Sequence, residues 1–218
     1  MPVCDVPGTT RHRVLKVVVP GAVVPGMVYY SWIYAQHICW NEVYHHHSKA
    51  TGIGLIVGSC LILALVFFIW VEMIAFGPGI QPRLPVFRII KDEGTDYRAI
   101  DPPEYFFCDE NGYPIWCSHC QSVKANRTHH SSDMGRCVAK FDHYCTWIGC
   151  SIGKRNYRLF IQFLFWFLGY FIYTGASGAV YMKDIKDRRG SVDPNLIVMF
   201  IVCAFWLIMI FGLFVSHI

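Results

Sequence analysis

The sequence predicts an all-α polytopic membrane protein with four transmembrane helices and a small cysteine-rich module between helices 2 and 3. The 218 residues are 54% hydrophobic with a mean hydropathy of +0.36, which is too apolar for an ordinary soluble domain. Four long runs carry no Asp, Glu, Lys or Arg, and a cluster of cysteines and histidines lies between the second and third runs. These observations together predict membrane spans on either side of one polar module.

Each charge-free run is long enough for a helix of roughly 20 residues across about 30 Å of hydrocarbon. Membrane helices tolerate internal proline, so Pro20 and Pro25 do not argue against a span in the first run. The runs cover residues 17–41, 50–71, 159–182 and 194–218. We therefore divide the chain into an N-terminal segment 1–16, helices 1 and 2 with a short lumenal loop in 17–76, the cysteine-rich module 77–158, and helices 3 and 4 in 159–218.

The distribution of lysine and arginine predicts the orientation. With four spans, the N-terminus, the central module and the C-terminus face the same side, and that side receives 14 of the 19 Lys and Arg residues. The positive-inside rule makes it the cytosolic side. The last short loop opposes this prediction, because it places Lys183, Lys186, Arg188 and Arg189 on the other side. The sequence contains no basic run that would indicate a nucleic-acid partner. The expected surroundings of the apolar runs are the lipid bilayer.

The module between helices 2 and 3 should have little regular structure. Gly77-Pro78-Gly79 predicts a sharp end to helix 2, and the prolines that follow argue against long helices. We expect only short ribbons near residues 105–108 and 115–116. A piece of about 80 residues with so small a core is commonly stabilised by metal.

A paired-cysteine motif supplies candidate metal ligands. Cys117-x-x-Cys120 is followed by two adjacent histidines, His129 and His130, and then by Cys137. Thiolates and an imidazole in this arrangement are typical of a closed zinc site. The alternative is free thiols in a loop, since a cytosolic segment does not favour disulfides.

A second motif, Asp142-His143-Tyr144-Cys145, has the composition of an activated nucleophile. Cys145 supplies a thiol, His143 a base, and Asp142 a carboxylate that could orient the imidazole. In an extended segment His143 and Cys145 share a face, whereas Asp142 and His143 point oppositely. The backbone must therefore turn at Asp142-His143 if all three groups cooperate.

These residues resemble the cysteine-rich domain of the DHHC protein S-acyltransferases, or palmitoyltransferases. The layout of four spans around the module is similar, and the Asp-His-Tyr-Cys core, with Thr146 where proline is usual, resembles divergent fungal members. Further residues fall at the family's spacings: Arg127, His130, Cys137, Val138, Trp147, Gly153, Asn156 and Phe160.

The resemblance implies a two-step enzyme. Palmitoyl-CoA or another acyl-CoA would acylate Cys145, and the acyl group would pass to cysteines of membrane-associated substrate proteins. The active site would face the cytosol at an endomembrane (ER or Golgi) or at the plasma membrane. The family also implies a cytosolic segment after helix 4, which we expect to be missing because the chain ends at Ile218.

The family pattern implies two zinc sites, of which this sequence keeps one. The first site falls on Cys117, Cys120, His130 and Cys137. The second falls on Ser131, Met134, Tyr144 and Ser151, none of which has a thiol or an imidazole. We predict one zinc ion, with methionine and tyrosine packing where the second metal would lie and serine hydroxyls forming hydrogen bonds. In the alternative, Cys150 binds metal with His129 or Cys108.

Other functions and sites remain open at this stage. Lys154, Arg155 and Arg158 could bind the phosphates of CoA, or they could be a plain positive-inside flank. Besides an active S-acyltransferase, the chain could be a catalytically inactive zinc-containing membrane scaffold or adaptor of the same family. A transporter is disfavoured, because the spans carry almost no ionisable residues.

Overall fold

The computed structural model describes residues 10–87, 100–101 and 103–217, and most of these residues are helical. The helices are α1 (Thr10–Ile33), a π-helix (Tyr34–His47), α2 (Lys49–Phe76), α3 (Tyr157–Arg189) and α4 (Pro194–Ser216). The strands are β1 (Trp116–Cys117), β2 (Ser122–Val123), β3 (His129–Ser131), β4 (Arg136–Val138), β5 (Tyr144–Cys145) and β6 (Cys150–Ser151).

Three of the helices, α2, α3 and α4, are long and apolar enough to cross a membrane. The first charge-free run, 17–41, is divided between α1, which ends at Ile33, and the π-helix, which begins at Tyr34. The mostly helical fold is confirmed, and a span at the first run stays a prediction. Helix α3 continues past its apolar run to Arg189, and its last turn carries three cations, which the negative end of the helix dipole favours.

The described chain forms two compact units. One unit contains Met73–Tyr157 together with the residues up to Val19, and the other contains Pro20–Glu72 and Arg158–Ile218. The first unit holds the cysteine-rich module and the second holds most of the helical residues.

Small residues allow close helix contacts in the second unit. A Cβ built on Gly175 of α3 would lie 2.7 Å from the sulfur of Cys203 in α4. At Gly178 a Cβ would lie 2.8 Å from Cδ1 of Ile38 in the π-helix. Because these distances leave no space for a side chain, glycine permits the helices to approach.

Ion pairs at the ends of the π-helix and α3 bind two of the four cations of the last loop. Glu42, which is 3% exposed, accepts hydrogen bonds from Arg188 and from His47. Arg189 pairs with Asp193 at 3.6 Å. These pairs partly neutralise the cations that opposed the predicted orientation.

In its described residues, the module contains three two-stranded antiparallel ribbons, β1–β2, β3–β4 and β5–β6. The predicted ribbon at 115–116 is present as β1, whereas the region 105–108 forms one isolated bridge between Cys108 and Pro114. Helix α2 ends at Phe76, as the glycine–proline–glycine sequence predicts. Gly77 and Gly79 have φ of +65° and +88°, values that favour glycine.

Candidate active site and metal centre

The ribbons bring the four predicted metal ligands together. Cys117 lies in β1 and Cys120 in the turn that follows, while His130 of β3 is directly opposite Cys137 of β4. One ligand atom from each residue lies within 4.8 Å of the others. All three cysteines are buried. The four predicted ligands thus lie together, and their binding of zinc stays a prediction.

The distances within the cluster fit zinc. Nδ1 of His130 lies 3.3 Å from Sγ of Cys120 and 3.6 Å from Sγ of Cys117. A tetrahedral zinc with sulfur at about 2.3 Å and nitrogen at about 2.0–2.1 Å would separate such ligand atoms by roughly 3.6 Å. Three cysteines and a histidine leave no open position, which is typical of a structural zinc site and not of a catalytic one.

The electrostatics of the cluster also fit a cation. Burial lowers the pKa of His130, and the charges of His119 and Lys124 lower it further, which favours the neutral imidazole that binds metal. Burial raises the pKa of the Cys137 thiol to about 12, and the neighbouring sulfurs of Cys117 and Cys120 add to this effect. Several adjacent thiolates are thus unfavourable unless a cation compensates their charge.

The positions of the second family site form a hydrogen-bonded cluster. The hydroxyls of Ser131 and Ser151 lie 3.2 Å apart, and both residues are buried. The N–H of Met134 donates to Ser131 Oγ at 3.3 Å, and Tyr144 is the strand partner of Ser151. The predicted serine hydrogen bonds are confirmed, whereas a single zinc ion per chain stays a prediction. In the described residues, no group of potential metal ligands includes Cys150.

A β-bulge places the Asp142 carboxylate beside the His143 ring. The N–H of Asp142 donates to the carbonyl of Ile152, and the N–H of Ile152 donates to the carbonyl of His143. Two residues therefore oppose one, and the strand bends there. The carboxylate oxygen lies 3.3 Å from Nδ1 of His143, with each side chain about a third exposed. This is the backbone turn that the sequence required.

Cys145 is buried at the end of β5 and receives backbone hydrogen bonds. It is 7% exposed, and burial raises the pKa of its thiol. The N–H groups of Ile148 and Trp147 bond to its sulfur and act in the opposite direction, because they favour the thiolate. The turn that supplies them closes with a hydrogen bond from Gly149 N–H to the Cys145 carbonyl, and Gly149 has a φ of +80°.

Asn156 fixes the hairpin to the end of α2. Its Oδ1 accepts from the N–H of Gly153, while its Nδ2 donates to the carbonyls of Ser151 and Met73. Gly153 is required here, since a Cβ would lie 2.6 Å from Cγ1 of Val138. The buried amide thus connects strand β6 to the last turn of α2.

The three cations predicted to bind CoA are all exposed. Lys154 and Arg155 lie just before α3, and Arg158 lies in its first turn. The Arg155 guanidinium is 5.4 Å from the ring centroid of Phe76, a cation–π contact. Their role in binding stays a prediction.

Comparison with known proteins decides the family. The sequence profile of the DHHC palmitoyltransferases matches residues 110–218, which include both motifs. The chain belongs to the DHHC palmitoyltransferase family. It is 41% identical to palmitoyltransferase PFA5 of Candida glabrata over 202 residues, and 36% identical to palmitoyltransferase PFA5 of Saccharomyces cerevisiae over 200 residues. The predicted family and the fungal resemblance are confirmed.

The alignments cover most of this chain and part of each relative. They include 92% of the chain and 57% of the Candida glabrata protein, and 85% of the chain and 54% of the Saccharomyces cerevisiae protein. The chain therefore spans a little over half the length of these curated relatives.

Sequence reasoning missed several contacts of the DHHC hairpin. It gave no role to the backbone N–H groups of Trp147 and Ile148, and it placed Asn156 in the motif without its hydrogen bonds. It also did not place Cys150 opposite Cys145. Gly149 between these cysteines was a usable sign of a tight turn, whereas backbone donors leave no trace in side-chain identity.

Proposed function

We propose that this chain is the membrane-embedded catalytic part of a protein S-acyltransferase that moves a fatty acyl group from acyl-CoA, through Cys145, to cysteines of substrate proteins. The observation that carries this proposal is the hairpin of a DHHC-family chain. It holds a buried thiol with two backbone N–H donors and, one bulge away, a carboxylate–imidazole pair. Palmitoyl-CoA is the proposed donor, because the relatives are named palmitoyltransferases.

In the first step the sulfur of Cys145 attacks the thioester carbonyl of acyl-CoA. His143 accepts the thiol proton, the new carbon–sulfur bond forms, and the bond to the CoA sulfur breaks. The proton then passes to the departing CoA thiolate. The Asp142 carboxylate, which lies 3.3 Å from Nδ1 of His143, orients the His143 ring and stabilises the imidazolium.

In the second step a cysteine thiol of the substrate protein attacks the acyl-Cys145 thioester. His143 accepts the proton of the substrate thiol, the acyl group moves to the substrate sulfur, and Cys145 leaves as a thiolate. The proton then returns from His143 to Cys145. The N–H groups of Trp147 and Ile148 stabilise that thiolate. Free CoA departs before the second thiol reacts, so the kinetics are ping-pong.

Cys117, Cys120, His130 and Cys137 are the proposed ligands of one structural zinc ion. When bound, zinc supplies a cross-link between the β1–β2 turn and the β3–β4 ribbon. A hydrogen bond between the hydroxyl groups of Ser131 and Ser151 connects β3 to β6. The residues of this chain, and no metal-bound group, perform the acyl transfer.

We propose the topology that the charge distribution predicts, with four spans, the module and both chain ends on the cytosolic side, and the enzyme in an endomembrane or the plasma membrane. Lys154, Arg155 and Arg158 would bind CoA phosphates from that side, since all three are exposed. The proposed divisions are 1–16, 17–76, 77–158 and 159–218.

Labelled palmitoyl-CoA tests the function with purified protein. We expect incorporation that hydroxylamine releases and that Cys145→Ser abolishes, with Cys108→Ser as a matched control from the same unit. Label that resists hydroxylamine, or that persists in Cys145→Ser, would contradict the proposal. Absence of label with retained zinc would favour the inactive scaffold, for which the raised pKa of Cys145 is the relevant observation.

A further inference from the structure

Cys150 lies directly opposite Cys145, and acyl transfer gives it no role. The two residues are Cα partners in the antiparallel pairing of β5 and β6. Opposite residues in such a pair project to the same face, with Cα atoms about 4.5–5.5 Å apart. A disulfide needs a Cα separation of about 4.4–6.8 Å. The hairpin therefore holds two thiols in a register from which they can be joined.

The surroundings make the two sulfurs unequal. Burial raises the pKa of the Cys145 thiol, and hydrogen bonds from the N–H groups of Ile148 and Trp147 oppose this effect because they favour a charged sulfur. Burial raises the pKa of the Cys150 thiol to about 12, and the nearby Cys145 adds to this effect. The amide of Asn156 lies 3.9 Å from the Cys150 sulfur. The backbone donors thus favour the thiolate at Cys145, which is the sulfur that reacts with the oxidant.

We propose that Cys145 and Cys150 form a reversible disulfide that inactivates the enzyme under oxidising conditions and protects its nucleophile from irreversible oxidation. The oxidant is a peroxide. The pair is both a modification site and a switch, because one bond removes the attacking sulfur. The loss of activity rests on the proposed function of Cys145, whereas formation of the bond does not.

The chemistry balances in two steps. The Cys145 thiolate attacks one peroxide oxygen, the O–O bond breaks, and a sulfenic acid forms. The second oxygen takes the proton that the Cys145 thiol lost on ionising and leaves as water. The Cys150 sulfur then attacks the Cys145 sulfur, the S–S bond forms, and the S–O bond breaks. The departing oxygen takes the Cys150 proton and leaves as water. The two sulfurs lose two electrons and peroxide gains them; a thiol reductant reverses the change.

The hairpin itself favours this pairing over other partners. Cys145 and Cys150 are 7% and 8% exposed and are strand partners, so Cys150 lies beside Cys145 without any incoming thiol. Cys108 is exposed and lies opposite Pro114 in its own bridge. Because Cys150 is supplied by the same hairpin, its effective concentration at Cys145 exceeds that of an external thiol.

Peroxide titration with mass spectrometry tests the proposal. The zinc-supplied protein is treated with hydrogen peroxide, alkylated, digested and mapped, in parallel with Cys150→Ser and with Cys108→Ser as the matched control. We expect a mass loss of about 2 Da and a linked Cys145–Cys150 peptide in the unmodified protein and in Cys108→Ser. Neither should appear in Cys150→Ser. Dithiothreitol should restore both thiols.

Acyl loading is measured on the same samples. In the unmodified protein, loading should fall as the linked peptide appears and recover with dithiothreitol, while oxidised Cys150→Ser should accumulate irreversible sulfinic acid at Cys145. Sulfinic acid at equal rates in both proteins, or Cys145 linked to another cysteine, would overturn the proposal. If the linked peptide forms in a protein that never accepts an acyl group, the proposed function fails and the disulfide stands.

Discussion

Replacing His143 with alanine tests how the buried thiol becomes a nucleophile. Burial raises the pKa of Cys145, so little thiolate exists at neutral pH without a base. A positioned general base contributes about 10²–10⁴-fold to such a reaction. We expect His143→Ala to lower the acyl-loading rate at pH 7 by at least about 10²-fold, as measured by rapid-quench incorporation of labelled palmitoyl-CoA.

The pH dependence of the variant gives the sharper test. Below its pKa, each unit of pH increases the thiolate fraction of Cys145 about tenfold. His143→Ala should therefore recover loading as pH rises from 7 to 9, while the unmodified protein should change less because its base already removes the proton. Unchanged zinc content serves as the folding control. A loss in the variant that does not vary with pH would refute the general-base reasoning.

Asp142→Asn should have a much smaller effect than His143→Ala. The Asp142–His143 pair is about a third exposed, so water screens it. Pairs of this kind contribute about 0–1 kcal/mol, which corresponds to at most about a fivefold change in rate. If Asp142→Asn lost as much activity as His143→Ala, the carboxylate would have a larger role than its exposure allows.

Three further substitutions have expected outcomes. Cys120→Ser should abolish zinc retention and lower the melting temperature of the module, since it removes one of four ligands; retained zinc by elemental analysis would contradict the assignment. Gly175→Val should destabilise the helical unit by about 1–3 kcal/mol, because even a Cβ built at this position would lie 2.7 Å from the sulfur of Cys203. The matched control Gly169→Val should not destabilise it, since a Cβ built there has no atom within 4 Å. Arg188→Ala should cost about 1–3 kcal/mol by leaving the buried Glu42 carboxylate without its guanidinium, measured by denaturation in detergent against Arg189→Ala.

The cysteine–histidine cluster could be predicted from the sequence because metal binding restricts the residue types. Thiols and imidazoles are the usual ligands of a closed zinc site, so the spacing of Cys117, Cys120 and Cys137 indicated candidate ligands. The choice of His130 over His129 needed the family resemblance. The structure gives the reason in register, since His130 is the strand partner of Cys137.

The hairpin that contains Cys145 could be predicted in composition and only partly in geometry. The alternation of side chains required a turn at Asp142-His143, and the bulge opposite Ile152 is that turn. That this turn is a β-bulge depends on the pairing with the chain at Ile152, and the residues around β5 carry no information about that pairing. The donors to Cys145 are backbone groups, so no residue identity could have indicated them.

The first charge-free run shows what charge spacing leaves open. The run from 17 to 41 predicted one span, and the structure divides it between α1 and a π-helix that begins at Tyr34, so the span stays a prediction. The ion pair between Glu42 and Arg188 joins residues 146 positions apart in the chain. Charge counting treats each cation as isolated and cannot include such a partner.

A native mass spectrum of the purified protein, recorded before and after addition of palmitoyl-CoA, tests the central claim most directly. We predict a chain that carries one zinc ion and then gains about 238 Da as a single thioester-linked acyl group, located at Cys145 by fragmentation. Two zinc ions would contradict the replacement of the second site by Ser131 and Ser151. A zinc-bound chain that gains no acyl mass, or gains it at another residue, would contradict the assignment of Cys145 as the nucleophile.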